Sequence, residues 1–373
     1  MKVLFLISLK DNSKISGGQY SIFKLANAMA EEDIEVYVAY SNFGKLLNSP
    51  SINIIPIPYF STKSKIFTFL NLFIEKVYNY LVLYPLIRKT KFDYVIGSQK
   101  KPAIDAVKIS KKFKIKSALF IFETPIWLSN KLPGWDKIYK NSRSLKSSWF
   151  KFRESLTNAD LIYANSITCS NELHKWTGLK SNDIIYPGVN LNMDKEFKKK
   201  LNQICYIGRL EQSKNVDLLI KAFNQIESKA TLVICGSGSQ EKHLKSLVKK
   251  YKSNNVFFKG LVTEQEKWNI LGQSSLMVFP SSFEGFGMPP LEAVSVGTIT
   301  ICSNLPIFKE VYNDAVIYFE ENNLNDLVNK INYCLENIDL ENKRLNHSRT
   351  KIINKYSWKN SSTILINSLK HNA

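Results

Sequence analysis

Residues 276–298 read LMVFPSSFEGFGMPPLEAVSVGT: an apolar run, a glycine-rich turn, and a second apolar stretch that opens on two prolines. The run LMVFPSS predicts a short buried strand, and the FEGFG turn then begins at its carboxyl end. Pro289 and Pro290 suit the first turn of a helix, where a missing N–H leaves no bond unmade, and Gly297 is placed to end that helix. Strand, turn and helix make one βα unit, and open α/β sheets bind ligands beyond the carboxyl ends of their strands. The amides around Gly287 and Met288 are thus expected at a helix N-terminus, a site suited to phosphate or an oxygen-rich ligand. Gly285 and Gly287 let the backbone come close to that ligand. Glu284 is expected in the loop above the site, and Glu292 in the first helical turn, where the helix dipole favours a carboxylate. Taken singly, each glutamate reads as well as a plain loop residue or a dipole partner.

The same rhythm extends in both directions. Before residue 190 the strand-like runs KVLFLIS, IEVYVAY, DYVIGS, SALFIFE and ADLIYANS alternate with helical patterns such as GQYSIFKLANAMAEE. After a lysine-rich stretch, NLNMDKEFKKKLN, the alternation starts afresh with QICYIGR, ATLVICGSG, NVFFKG, LMVFPSS, TITICSN and AVIYFE. Short buried runs alternating with helices predict parallel sheets, here two successive doubly wound α/β units with the basic stretch as linker. A chain of 373 residues with 44% hydrophobic residues is long enough for two such cores. The opening MKVLFLISLKD mimics a signal peptide, but its apolar run stops at Lys10 and Asp11 without a small-residue cleavage site, so it reads as a first strand.

Five cysteines, Cys169, Cys205, Cys235, Cys302 and Cys334, stand singly without CxxC spacing, which points to a reducing compartment and to no structural metal. The net charge of +19 is uneven, because residues 61–153 hold twenty Lys/Arg against five acids. A field of that sign attracts nucleic acid, anionic lipid or phosphorylated substrates, although a solvated lysine-rich surface explains the same count. Within this region residues 65–89, KIFTFLNLFIEKVYNYLVLYPLIRK, are long enough to span a bilayer, yet Asn71, Glu75, Lys76 and Asn79 make a span costly. Two readings stay open: a helix on an anionic membrane face, flanked by Lys63, Lys65, Arg88 and Lys89, or a helix packed into the first core.

A second feature gives the two glutamates a partner. In ICYIGRLEQSKNVDLLIKAF, Arg209 follows a strand directly and Lys214 precedes an amphipathic helix, so both can reach over a strand's carboxyl end. Two fixed cations there can neutralise a diphosphate without a metal, and the chain has no Asp-x-Asp clip to hold one. Gly17 and Gly18 follow the first strand, and Gly236 and Gly238 follow a strand of the second unit. Each pair marks a close backbone approach to a phosphate or sugar, or only a tight turn; GSGSQE lacks the third glycine of a dinucleotide fingerprint.

Together these motifs resemble the retaining glycosyltransferases of family 4, also called glycosyl transferases group 1. The string from Glu284 to Glu292 matches the family's E-x7-E signature, YPGVN at 186–190 looks like its interdomain stretch, and YSWKNSSTILINSL resembles its last helix. The resemblance implies a GT-B fold: two Rossmann-like doubly wound domains facing a cleft, with the C-terminal helix crossing back to the first. The acceptor-side domain would be residues 1–190 plus about 356–373, and the donor domain residues 191–355. It implies that Arg209 and Lys214 hold the donor diphosphate, Glu284 the transferred sugar's hydroxyls and Glu292 the donor ribose. Phe286, Gly287 and Met288 would line the sugar pocket beside Gly285; Gly236 and Gly238 would lie towards the base. Gly17 and Gly18 would face the diphosphate and acceptor. In LFIFETPIW, Glu123 stands where many members carry a histidine, either as a substitute or as a loop cap.

The implied activity is metal-independent, retaining transfer of a sugar from a UDP-, GDP- or ADP-sugar, with no cofactor, to a saccharide or lipid-linked saccharide in surface polysaccharide or lipopolysaccharide biosynthesis. The expected location is cytoplasmic, with peripheral contact to anionic membrane at the inner face. A soluble small-sugar synthase or a nucleotide-sugar epimerase fits the same fold. A nucleic-acid-binding protein fits the charge alone, but no RNP-like, helix-turn-helix or zinc pattern supports nucleic acid as a partner.

Overall fold

Successive side chains of the first strand, β1 (Lys2–Ile7), serve two separate cores. Val3, Phe5 and Ile7 belong to one cluster of buried side chains, whereas Leu4 and Leu6 belong to another. A strand points alternate residues to opposite faces, so an unbroken apolar run is what a sheet covered on both sides requires. The computed structural model describes residues 1–7, 17–40, 51–58, 65–125, 128, 143–189 and 197–373. The end of the opening apolar run (8–11), Lys63, the last residues of LFIFETPIW (126–127) and the linker residues 190–196 lie outside the described residues.

The described residues divide into two compact units, the first lying within residues 1–128 and 143–188 together with Trp358–Ala373, the second within Val189–Ser357. In the first, β1, β2 (Glu35–Tyr40), β3 (Asn53–Pro56), β4 (Tyr94–Ser98), β5 (Lys116–Ile121), β6 (Leu161–Ala164) and β7 (Asp183–Ile184) form one sheet in the order β3-β2-β1-β4-β5-β6-β7. All neighbours run parallel. Helix Gly17–Ala30 and the last helix, Trp358–His371, cover one face through Ile22, Phe23, Leu25, Met29, Leu365, Ile366 and Leu369. The last helix is also tied by Tyr94 Oη, which donates to the Leu369 carbonyl at 2.9 Å, and by Tyr163 Oη, which donates to Ser368 Oγ at 3.2 Å. Each large side chain buried this way contributes about 1.5–3 kcal/mol.

The second unit repeats the plan with β8 (Lys200–Ile207), β9 (Thr231–Cys235), β10 (Val256–Gly260), β11 (Ser274–Phe279), β12 (Ile299–Ser303) and β13 (Ile317–Phe319), in the order β10-β9-β8-β11-β12-β13. Every pair is again parallel. The chain therefore winds outward from β8 to β10, returns to the other side of β8 at β11, and winds outward again. This is the Rossmann order, and its switch point lies between β8 and β11.

The stretch weighed above as membrane helix or core helix is a helix (Lys65–Tyr78), a π-turn (Asn79–Leu83) and a second helix (Tyr84–Thr90). Leu83 and Ile87 join the core, but Leu70, Phe73, Val77, Tyr80, Leu81 and Val82 are exposed, so it is not a helix enclosed by that core.

Candidate active site

At a switch point the loops leaving two neighbouring strands diverge and open a crevice beyond their carboxyl ends. In the second unit those loops are the ones carrying Arg209 and Lys214 after β8 and Glu284 after β11. Lys214 lies in a single 3-10 turn, Gln212–Lys214, and Asn215, which tolerates the left-handed conformation at φ 54°, turns the chain into helix Val216–Phe223. The two loops are locked together: Ser282 N donates to the Ser213 carbonyl at 2.9 Å, and Asn215 Nδ2 donates to Ser282 Oγ at 3.0 Å. Lys214 Nζ donates to Glu284 Oε1 at 2.5 Å, and Ser281 Oγ donates to the same oxygen at 2.8 Å. The Lys214 and Glu284 side chains are 10% and 11% exposed, so each charge depends on the other.

Arg209, five residues before Lys214 on the same loop, is exposed. Its carbonyl accepts from Tyr206 Oη at 2.9 Å, and the Tyr206 ring stacks on Phe279 with centroids 5.8 Å apart, joining β8 to β11 beneath the site. Burial holds the Tyr206 phenol well above its ordinary pKa, so it stays a donor. Gly236, at φ 130°, and Gly238 pack against the same loop: a β-carbon on either would run into the carbonyl of Gly208 or Leu210. Their small size thus makes room for backbone, with Gly208 N donating to the Cys235 carbonyl at 3.0 Å and Leu210 N to the Ser237 carbonyl at 3.0 Å.

Helix Met288–Ser295 starts where the sequence placed it, with Gly287 as its N-cap at φ 97° and Gly297, at φ 72°, just beyond its end. The buried Tyr312 hydroxyl donates to the Gly287 carbonyl, and a β-carbon on Gly287 would lie 2.6 Å from the Phe308 ring. Phe286 is buried edge-on against Tyr356 with centroids 5.7 Å apart, whereas Gly285 and Met288 are half-buried. The helix entry is thereby fixed without any ligand.

Glu292 departs from its expected place. It is the fifth residue of the helix and no acidic residue lies in the first turn, so the dipole is not its partner. Lys267, on helix Glu264–Gln273, donates to Glu292 Oε1 at 2.7 Å and lies 3.0 Å from Glu264 Oε2. Burial opposes the Lys267 charge, but the Glu292 and Glu264 carboxylates outweigh it and raise its pKa. Burial raises the Glu292 carboxyl against the pull of Lys267. The sequence carried no sign of this pairing, because nothing in a local pattern links residues 267 and 292. Ser281 was equally silent.

In the first unit Gly17 opens helix Gly17–Ala30 with free space around it, and Gly18 lies so close to Phe122 that a β-carbon would stand 2.7 Å from its ring. Glu123, half-buried, follows β5. Gln99 clasps this loop: its Nε2 donates to the Glu123 carbonyl at 3.3 Å, and Phe122 N donates to its Oε1 at 3.3 Å. Gln99 and Lys100, at φ 30° and 65°, leave β4 in conformations rare for residues with side chains. Gly18, Phe122, Glu123 and Gln99 thus converge at the carboxyl edge of β4 and β5. Gln99 was missed, although its place directly after DYVIGS was the available signal.

Two family models cover most of the chain: glycosyl transferases group 1 over residues 190–351 and Glycosyltransferase Family 4 over residues 15–193. An uncharacterised glycosyltransferase of Methanocaldococcus jannaschii is 30% identical over 224 residues, covering 59% of this chain and 61% of that protein. The O-antigen biosynthesis glycosyltransferase WclY of Escherichia coli is 30% identical over 165 residues, covering 43% of this chain and 46% of that protein. These matches span about half to three fifths of the relatives' own length. Among solved structures, Anabaena HepE in complex with UDP and glucose superposes with a TM-score of 0.76 at 16% identity, covering 100% of both chains. Both halves of the sequence and the fold of both units agree, and the chain belongs to the glycosyltransferases of family 4, group 1, with two Rossmann-like domains.

Proposed function

We propose that the chain transfers a sugar from a nucleoside diphosphate sugar to a hydroxyl of a saccharide or lipid-linked saccharide, with retention of configuration and without a metal ion, in the assembly of surface polysaccharide or lipopolysaccharide. The observation that carries this reading is the pairing of Lys214 with Glu284 at the switch point of the second unit, beside exposed Arg209 and a helix N-terminus. Arg209 and Lys214 neutralise the diphosphate. Glu284, fixed by Ser281, accepts from sugar hydroxyls, and the amides at Gly287 and Met288 offer donors to the same ligand. Glu292 reaches the ribose with Lys267 holding its carboxylate. Gly17, Gly18 and Glu123 take the acceptor side.

In the transfer, the bond from the anomeric carbon to the diphosphate oxygen breaks and the acceptor oxygen bonds to that carbon on the same face. The acceptor's proton passes to the departing diphosphate, so no enzyme nucleophile is needed. The protein supplies position and charge stabilisation, effects worth several kcal/mol each. The name of the relative WclY supports an O-antigen setting, and the UDP and glucose in the HepE structure support a nucleotide-sugar donor. No helix of the described residues is long and apolar enough to cross a membrane; the basic first unit supports peripheral contact with anionic membrane at the inner face.

Retention is tested by slow hydrolysis of the donor, with water as acceptor, followed by NMR from the first minutes. The released sugar is expected first in the donor's own anomeric form, at a rate unchanged by EDTA. Release in the opposite form overturns retention, and loss of turnover in EDTA overturns metal independence.

A further inference from the structure

The helical stretch of residues 65–90 is held to the core by Leu83 and Ile87, yet between residues 70 and 82 it presents an apolar face outward. Three of its polar side chains face the protein: Asn71 is 6% exposed, Glu75 accepts from Lys101 Nζ, and Asn79 has a buried Oδ1 without a hydrogen-bond partner. Six of its apolar side chains face away: Leu70, Phe73, Val77, Tyr80, Leu81 and Val82 are 39–71% exposed. Positions 70, 73, 77 and 80–81 are spaced as one helix face. The π-turn Asn79–Leu83, which fits an extra residue into one turn, leaves Tyr80, Leu81 and Val82 exposed in succession. A helix that meets water has the opposite pattern. Burying the Asn79 oxygen while exposing Phe73 and Tyr80 is unfavourable on both sides, unless an apolar medium covers the outer face.

Charge identifies that medium. Lys76 lies exposed on the same face, and Arg88, Lys89 and Lys91 are exposed at the end of the stretch. Lys112 Nζ stands 3.9 Å from the centre of the Tyr84 ring, adding a further cation there. A second copy of this chain would bring the same positive field and be repelled. An anionic bilayer offers an apolar layer for the aromatic and aliphatic side chains and headgroups for the lysines and arginines, and suits a helix lying in the interface.

We infer that residues 70–89 form a membrane-docking crest that lies in the interfacial layer of an anionic bilayer, with Phe73, Val77, Tyr80 and Leu81 inserted. This deepens the membrane contact in the proposed function and rests on it. The test is flotation of the full chain with vesicles of phosphatidylcholine alone or mixed with phosphatidylglycerol, comparing wild type with the double variant Phe73→Ser/Leu81→Ser. Wild type is expected to float with the mixed vesicles only, and the double variant to bind about tenfold more weakly or worse. Both side chains are exposed, so circular dichroism and the thermal midpoint are expected to be unchanged. As a second readout, Leu81→Cys carrying an environment-sensitive dye is expected to shift to the blue on mixed vesicles. The cysteines Cys169, Cys205, Cys235, Cys302 and Cys334 are all buried, which directs the dye to the introduced thiol. Equal flotation of wild type and double variant, or no blue shift on floating protein, overturns the crest but leaves membrane contact standing. Wild type left unbound at low salt overturns both.

Discussion

Glu284→Gln is expected to lower kcat/KM for transfer by about a thousandfold while the protein stays folded, because the charge that accepts from sugar hydroxyls is lost but an acceptor oxygen remains for Ser281 and Lys214. Glu284→Ala is expected to be equally inactive and less stable. It leaves the Lys214 ammonium, 10% exposed, with neither a carboxylate nor the acceptor oxygen that Gln keeps, and removing one member of a buried pair costs about 3–5 kcal/mol. Kinetics and thermal unfolding on both variants separate the two effects. Near-normal turnover in Glu284→Gln removes Glu284 from the reaction; a Glu284→Ala variant as stable as wild type contradicts the burial of the pair.

The second large effect concerns Glu292. Lys267→Met preserves the length of an apolar side chain but leaves Glu292, whose side chain is 9% exposed, facing no cation, and is expected to destabilise the protein by about 3–5 kcal/mol near neutral pH. Burial already raises the Glu292 carboxyl above the ordinary value of 4.5, and losing the lysine raises it further. With a folded-state pKa above the unfolded one, the folded variant takes up the proton first on acidification, so stability is lowest above the folded pKa and recovers as pH falls through it. The deficit relative to wild type is therefore expected to shrink between neutral pH and pH about 5, as followed by urea unfolding. A deficit that does not change with pH would show that Glu292 is not left as an unpaired charge.

The parts of the fold legible in the sequence were those buried on both faces. All six strands of the second unit were readable as apolar runs; five lie largely between covered faces and need no alternation, while the edge strand β10 alternates half-buried and exposed residues and was readable from Val256, Phe257 and Phe258. The strands missed, Asn53–Pro56 and Asp183–Ile184, are the two edges of the first sheet; one is four residues long and ends on a proline, the other only two residues long, too short to form such a run. The turn after β11 was legible because Gly287 and the two prolines have backbone demands that few residues meet. The side-chain partners were not: within the second unit Lys267 reaches Glu292 from a separate helix, within the first Gln99 reaches the loop after β5 from the end of β4, and Ser281, three residues before Glu284, is a residue type that carries no signal of its own. Glu292 was placed one turn too early for the related reason that a helix start is local, whereas a side chain's partner is not. In residues 65–89 the apolar stripe was visible, but only packing shows that it points outward.

The central claim is that the second unit holds a nucleoside diphosphate sugar between Arg209, Lys214 and Glu284. Its most direct test is a thermal-shift panel of UDP, GDP and ADP with their sugars, on wild type and on Arg209→Met. A ligand at a hundred times its Kd stabilises by about 2.7 kcal/mol, so one nucleotide family is expected to raise the midpoint by about 5 °C or more, and Arg209→Met is expected to lose most of that rise. No stabilisation by any of these nucleotides, or a rise that survives unchanged in Arg209→Met, would contradict the account.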